Sequence, residues 1–255
     1  MKRILSAAAV LALSASLLVG CSSGTASSVP VSASSAAEST VSSVEETASS
    51  AVDENEAAAA QLLNDLTGSY QELWPVILAD EYKQTWLDDC TALVGEENAE
   101  AAFEKLSSMV TSDVYGEDAV EAYANGGGAY FCGFTNSLAT LTFDGETSTI
   151  SGTDKDGNVL FSHTYHYIGM EPVHGLYEFE SDDADSGEFT YFFLAPDTSA
   201  ETYHIEFRYG SDAEALSQYD TGEYAYWLAS GISTDCDQTM IDNCIELFCT
   251  ENLAG

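Results

Sequence analysis

Basic residues are scarce in this 255-residue chain. Lys and Arg together number 6 against 43 Asp and Glu, so the formal net charge is −37 at pH 7. Because contacts to phosphate groups need a basic surface, this composition argues against a nucleic-acid partner. The same charge disfavours electrostatic docking on anionic lipid.

Catalytic signatures are also missing. The sequence contains no HExxH pair, no P-loop and no dinucleotide-binding fingerprint. No CxxC occurs, which leaves a zinc ribbon or a thioredoxin-type site unsupported. Acidic residues are abundant, but their spacing assigns no pair to acid–base work. The sequence therefore predicts a protein that is not an enzyme.

The N-terminus is typical of an export signal. Met1–Arg3 is positively charged, Ile4–Val19 is apolar, and the run ends in Leu18-Val19-Gly20-Cys21. This pattern predicts a signal peptide over residues 1–20. Its last four residues resemble the lipobox of bacterial lipoproteins, which implies that Cys21 carries lipid and anchors an exported protein at the extracytoplasmic face of a membrane. An ordinary secretory signal with an incidental cysteine is the alternative.

Residues 21–58 predict a flexible tether, and 59–255 predict the folded domain. Residues 22–50 contain 12 Ser. Such a segment buries too little apolar surface to offset its chain entropy. Every Tyr, Phe and Trp lies after residue 69, so only this part of the chain has enough apolar surface to form a hydrophobic core.

The folded part reads as helices, then strands, then one helix. Apolar residues recur at helical spacing over 56–112. From Ala129 to Gly210, short β-like runs alternate with turns, beginning with Ala129–Thr135. A C-terminal helix follows, with Thr234 or Asp235 as its expected N-cap. The pattern predicts an antiparallel sandwich or barrel, mainly β with flanking helices.

Five cysteines follow Cys21. Export permits a disulfide, and Cys236 with Cys244 or with Cys249 is a candidate pair by spacing. Cys244 falls on the apolar stripe of the C-terminal helix, where it is more simply a small buried hydrophobe.

The four histidines all fall in the strand region. Alternation places His204 and Glu206 on one strand face, opposite Ile205 and Phe207. Imidazoles from separate strands that meet inside a closed barrel, with carboxylates nearby, would suit zinc. The alternative is a histidine that bonds a backbone carbonyl in the core, or an exposed one.

Four segments resemble the ZinT (YodA) family of exported zinc-binding proteins, in order and spacing from about residue 60 onward. They are Leu66–Pro75, Phe192–Pro196, Thr202–Gly210 and Ser211–Leu216. The resemblance implies a calycin (lipocalin-like) barrel with flanking helices. It also implies zinc as the ligand and a role in uptake, with a metal ABC-transporter component as a candidate partner.

The family's zinc is held by three histidines, and the matching positions here are Phe192, Thr202 and His204. The resemblance therefore implies either a rebuilt site or a scaffold that has lost its metal. For a rebuilt site, His166 ranks first because its strand repeats the Thr-Tyr-His context of His204. The full candidate set is His204, His166, His163, His174 and Glu206.

Two functions remain open from the sequence. The first is a surface-anchored lipoprotein that binds zinc or a similar divalent metal, for storage or delivery to an uptake system. The alternative is a metal-free lipocalin-like barrel that binds a small apolar ligand or a protein partner, for which the many Tyr and Phe residues suit an apolar pocket.

Overall fold

The computed structural model describes residues 54–196 and 204–253. The predicted signal peptide, Cys21 and most of the predicted tether lie outside these residues, as does Thr202. A first helix, α1, covers 54–65. Residues 54–58, which the sequence assigned to the tether, are therefore already helical.

Eight antiparallel strands form a closed barrel in which each strand pairs with the next and β1 pairs with β8. This confirms the predicted antiparallel barrel. The strands are β1 (Gly68–Glu72), β2 (Thr140–Asp144), β3 (Thr149–Thr153), β4 (Val159–Met170), β5 (Tyr177–Ser181), β6 (Tyr191–Leu194), β7 (His204–Gly210) and β8 (Ala229–Ser233).

Helices flank the barrel at both ends of the chain, as predicted. After α1 they are α2 (Leu73–Ile77), α3 (Lys83–Val94), α4 (Ala99–Met109), α5 (Glu117–Ala124), α6 (Ala213–Leu216) and α7 (Gln238–Leu253). Within the described residues, none of these helices combines the length and the apolar character that crossing a membrane requires.

Two apolar cores hold the domain together. Inside the barrel, aromatic rings of alternate residues stack on one another; Phe207 and Tyr209, for example, lie 5.8 Å apart between ring centroids. Outside it, α3, α4 and α7 pack around Trp86 and Leu106, and Ile232 contributes to this second core from β8. Both faces of β8 are thus covered.

Three segments differ from the sequence interpretation. Gly68–Glu72 is strand β1 rather than helix, because Tyr70 pairs with Leu141 and with Ser233 to close the barrel. Residues 129–135 make only isolated bridges at Phe131. Strand β8 was missed because its Ala-Ser-Gly-Ile-Ser sequence has little strand character of its own.

The N-cap of α7 also differs from the expectation. The Oδ1 atom of Asp237 accepts a hydrogen bond from the backbone N–H of Met240 at 2.9 Å. The cap is therefore Asp237, not Thr234 or Asp235, because α7 begins at Gln238.

We expect Asp237→Ala to lower the free energy of unfolding by about 1 kcal/mol, because it removes the acceptor of this cap. Asp235→Ala is the matched control and should stay within about 0.5 kcal/mol of the wild type. Urea denaturation followed by far-ultraviolet circular dichroism measures both. An equal loss in the two variants would contradict this cap assignment.

Candidate functional site

Strand β4 brings two of the four histidines to one turn. His163 lies on the face of β4 that carries Phe161 and Tyr165 into the barrel, and its side chain is 15% exposed. His166 lies on the outer face and its side chain is 53% exposed. Because β5 runs antiparallel to β4, the turn that follows β5 lies beside both of them.

Each of these imidazoles contacts its own carboxylate in that turn. The Nδ1 atom of His163 lies 2.8 Å from Oδ2 of Asp183, and the Nδ1 atom of His166 lies 2.8 Å from Oδ1 of Asp182. The backbone N–H of Asp182 donates to the carbonyl oxygen of Thr164 at 2.8 Å. The turn is therefore fastened directly to the strand that carries the histidines.

These contacts set the chemistry of the two rings. An ionised carboxylate only accepts hydrogen bonds, so Nδ1 of each ring carries the proton. In a neutral imidazole the lone pair then resides on Nε2. This is the arrangement in which a carboxylate orients a metal-binding histidine.

His174 lies elsewhere, in the hairpin between β4 and β5. Its ring contacts Tyr219 edge-on, with 4.1 Å between the ring centroids. The buried carboxylate of Glu171 accepts hydrogen bonds from the backbone N–H groups of Val173 and His174. The hairpin is thus well ordered, but its histidine is at the far end of β4 from the turn after β5.

His204 is also distant from His166. It pairs in register with Ile232 and, since Ile205 and Phe207 point into the barrel core, it lies on the outer face of β7 with Glu206. Strands β5 and β6 separate β7 from β4, which at ~4.8 Å per strand places them roughly 14 Å apart along the sheet. The structure does not bring His166 and His204 together inside the barrel.

Of the three positions that match the family's histidines, only Phe192 and His204 lie in the described residues, and Phe192 offers no metal ligand. Phe192 is fully buried and packs against Tyr165 and Tyr209, each with 5.4 Å between ring centroids. A phenyl ring offers no ligand atom, and the surrounding rings fill the space. Across residues 54–196 and 204–253, no group of three or more His, Cys, Asp or Glu side chains is placed to hold a metal ion.

Sequence reasoning missed Asp182 and Asp183. The signal was present, because a hairpin register that pairs Tyr165 with Ser181 places residues 182 and 183 beside 164 and 163. The acidic turn after β5 is therefore the natural neighbour of a β4 histidine.

A buried cation on the outer face of β7 was missed as well. Arg208 is fully buried, and its guanidinium donates to the carbonyl oxygens of Leu216, Gln218 and Tyr224. It also lies over the ring of Tyr219, 4.3 Å from the centroid. Burial lowers the pKa of Arg208 from its usual value. Arg208 thus fastens the segment that links α6 to β8 onto the barrel.

The described residues therefore define a closed antiparallel barrel with flanking helices and two histidine–carboxylate pairs at one turn. No family model matches the sequence, and no curated protein matches it. Among solved structures, the chain is similar to the Zn(II)-bound ZinT-like domain of Streptococcus pneumoniae AdcA. The TM-score is 0.45 at 16% identity, over 72% of this chain and 89% of that one.

A second solved structure, Zn(II)-bound AdcA from Streptococcus pneumoniae, gives a TM-score of 0.42 at 15% identity. It covers 73% of this chain and 35% of that one, so this chain spans about a third of that protein. These likenesses carry no information about a ligand in this chain.

Proposed function

We propose that this protein is an exported, lipid-anchored protein that binds zinc or a similar divalent metal at the turn after β5, for storage or for delivery to an uptake system. The observation that supports it is the pair of imidazoles in β4 whose Nδ1 atoms each contact a separate carboxylate at 2.8 Å. In both rings Nε2 is left as the atom that a metal ion would meet.

The two pairs act as separate sites. His163 and His166 start from opposite faces of β4, so each pair offers one imidazole, and water completes the coordination of the ion. Zinc accepts neutral imidazole together with oxygen ligands. Sites with few protein ligands release their ion readily, which suits a protein that concentrates metal and passes it on.

The charge of the chain favours the same role. A formal charge of −37 raises the local concentration of cations around the domain. The predicted lipid on Cys21 and the tether after it would hold the metal-binding domain at the membrane, within reach of a metal ABC-transporter component.

Isothermal titration of the full chain with zinc chloride tests this proposal. We expect His163→Ala/His166→Ala to lose the heat of binding, because both proposed ligands are gone. His174→Ala/His204→Ala removes the same number of imidazoles and should titrate like the wild type. Unchanged heat in the first variant, or lost heat in the second, would contradict the proposal.

The second candidate function is a metal-free barrel that binds a protein partner. Apolar side chains stand exposed on the outer face of β4 and in the hairpin after it, with Ile168 at 40%, Met170 at 42% and Val173 at 62% exposure. If the wild type itself releases no heat of binding when it is titrated with zinc, this candidate is favoured. A small apolar ligand has less support, since the rings around Phe192 fill that part of the barrel.

A further inference from the structure

The geometry points to a disulfide between Cys90 and Cys249 in the exported protein. Cys90 lies in α3 and Cys249 in α7, and their Sγ atoms are 3.9 Å apart. Both side chains are fully buried in the core between the helices and β8. The proposal concerns a covalent link that joins these helices, a modification separate from the metal-binding role.

The contact distinguishes this pair from the Cys236–Cys249 pair that spacing suggested. Cys249 faces Cys90, at a separation of 159 residues, rather than Cys236, which is 13 positions away. The proposed pair thus links two helices that pack side by side, whereas a bridge from Cys236 to Cys249 would tie α7 to the chain just before it. In the reduced structure both thiols are free.

The two sulfur atoms need to move only a short way. A disulfide requires about 2.05 Å between its sulfur atoms and Cβ atoms roughly 3.8 Å apart. The Sγ atoms are in contact at 3.9 Å, so they must approach each other by about 1.9 Å to reach the S–S bond length. The surrounding apolar side chains then enclose a bond that has no polar group to satisfy.

We expect Cys90 and Cys249 to be oxidised during folding, before the core between the helices and β8 has formed. Burial raises the pKa of both thiols, so the thiolate that attacks a disulfide is rare once the domain has folded. In the open chain, both thiols lose their protons and an Sγ–Sγ bond forms by thiol–disulfide exchange. The two electrons reduce the donor disulfide, of an oxidoreductase or of oxidised glutathione, to two thiols.

Peptide mapping tests the bond directly. The full chain with Cys21→Ser is unfolded, reduced, refolded in reduced and oxidised glutathione, alkylated and digested without reduction. We expect mass spectrometry to find the Cys90 peptide linked to the Cys249 peptide. Alkylated Cys90 and Cys249, or a link from either of them to another cysteine, would overturn the proposal.

Thermal unfolding of the Cys21→Ser chain supplies a second measurement. The refolded, oxidised chain should melt about 10 °C higher than the same chain in dithiothreitol, because the bond restricts the unfolded state over a long loop. Cys90→Ser should abolish that difference, and the matched control Cys236→Ser should keep it. Equal melting temperatures with and without dithiothreitol in the Cys21→Ser chain would overturn the proposal.

Discussion

Arg208→Met is expected to lower the free energy of unfolding by about 4 kcal/mol, since each buried polar group that loses its partner costs about 1–3 kcal/mol. The guanidinium donates hydrogen bonds to the carbonyl oxygens of Leu216, Gln218 and Tyr224, which lie in α6 and in the segment that links α6 to β8. Methionine retains much of the aliphatic stem but donates to none of them. The melting temperature should fall by about 10 °C.

Lys105→Met is the control for this experiment. It removes the same charge from an exposed position in α4, so it reports the effect of net charge alone. Urea denaturation and calorimetry of both variants provide the comparison. If Arg208→Met costs no more than Lys105→Met, the buried guanidinium does not hold the segment in place.

Asp182→Asn/Asp183→Asn should weaken the affinity for zinc by about 10- to 100-fold, the usual effect of removing a carboxylate that orients a metal-binding histidine. Both histidines remain in this variant, so the loss would come from the orientation of the rings. Competition with a chromophoric chelator measures the affinity.

Asp156→Asn/Asp185→Asn removes two carboxylates that contact neither His163 nor His166. Its affinity should match that of the wild type within about twofold, since bulk charge acts equally in both double variants. An equal loss in the two variants would mean that the net charge, and not the histidine–carboxylate pairs, attracts the metal.

The barrel was predictable because its signals are local. Turn residues and alternating apolar positions mark β2 to β7, and the same alternation correctly placed His204 and Glu206 opposite Ile205 and Phe207. Strands β1 and β8 were missed because Gly68–Glu72 lies within the stretch of helical apolar spacing and Ala229–Ser233 has little strand character of its own, so both depend on strand neighbours distant in sequence.

The site was less predictable, because which side chains meet depends on strand order. Sequence placed four histidines in the strand region but did not determine that His166 and His204 lie three strands apart. The contact between Cys90 and Cys249 depends on how α3 packs against α7. Apolar periodicity predicts a buried face on each helix, but it does not predict which helix packs against that face.

A crystal of the full chain grown with zinc, measured at the zinc absorption edge, tests the central claim most directly. We expect anomalous density about 2.0–2.1 Å from Nε2 of His163, of His166 or of both, the ordinary zinc–imidazole distance. Density confined to His174 or His204, or an absence of density at every histidine, would contradict the account.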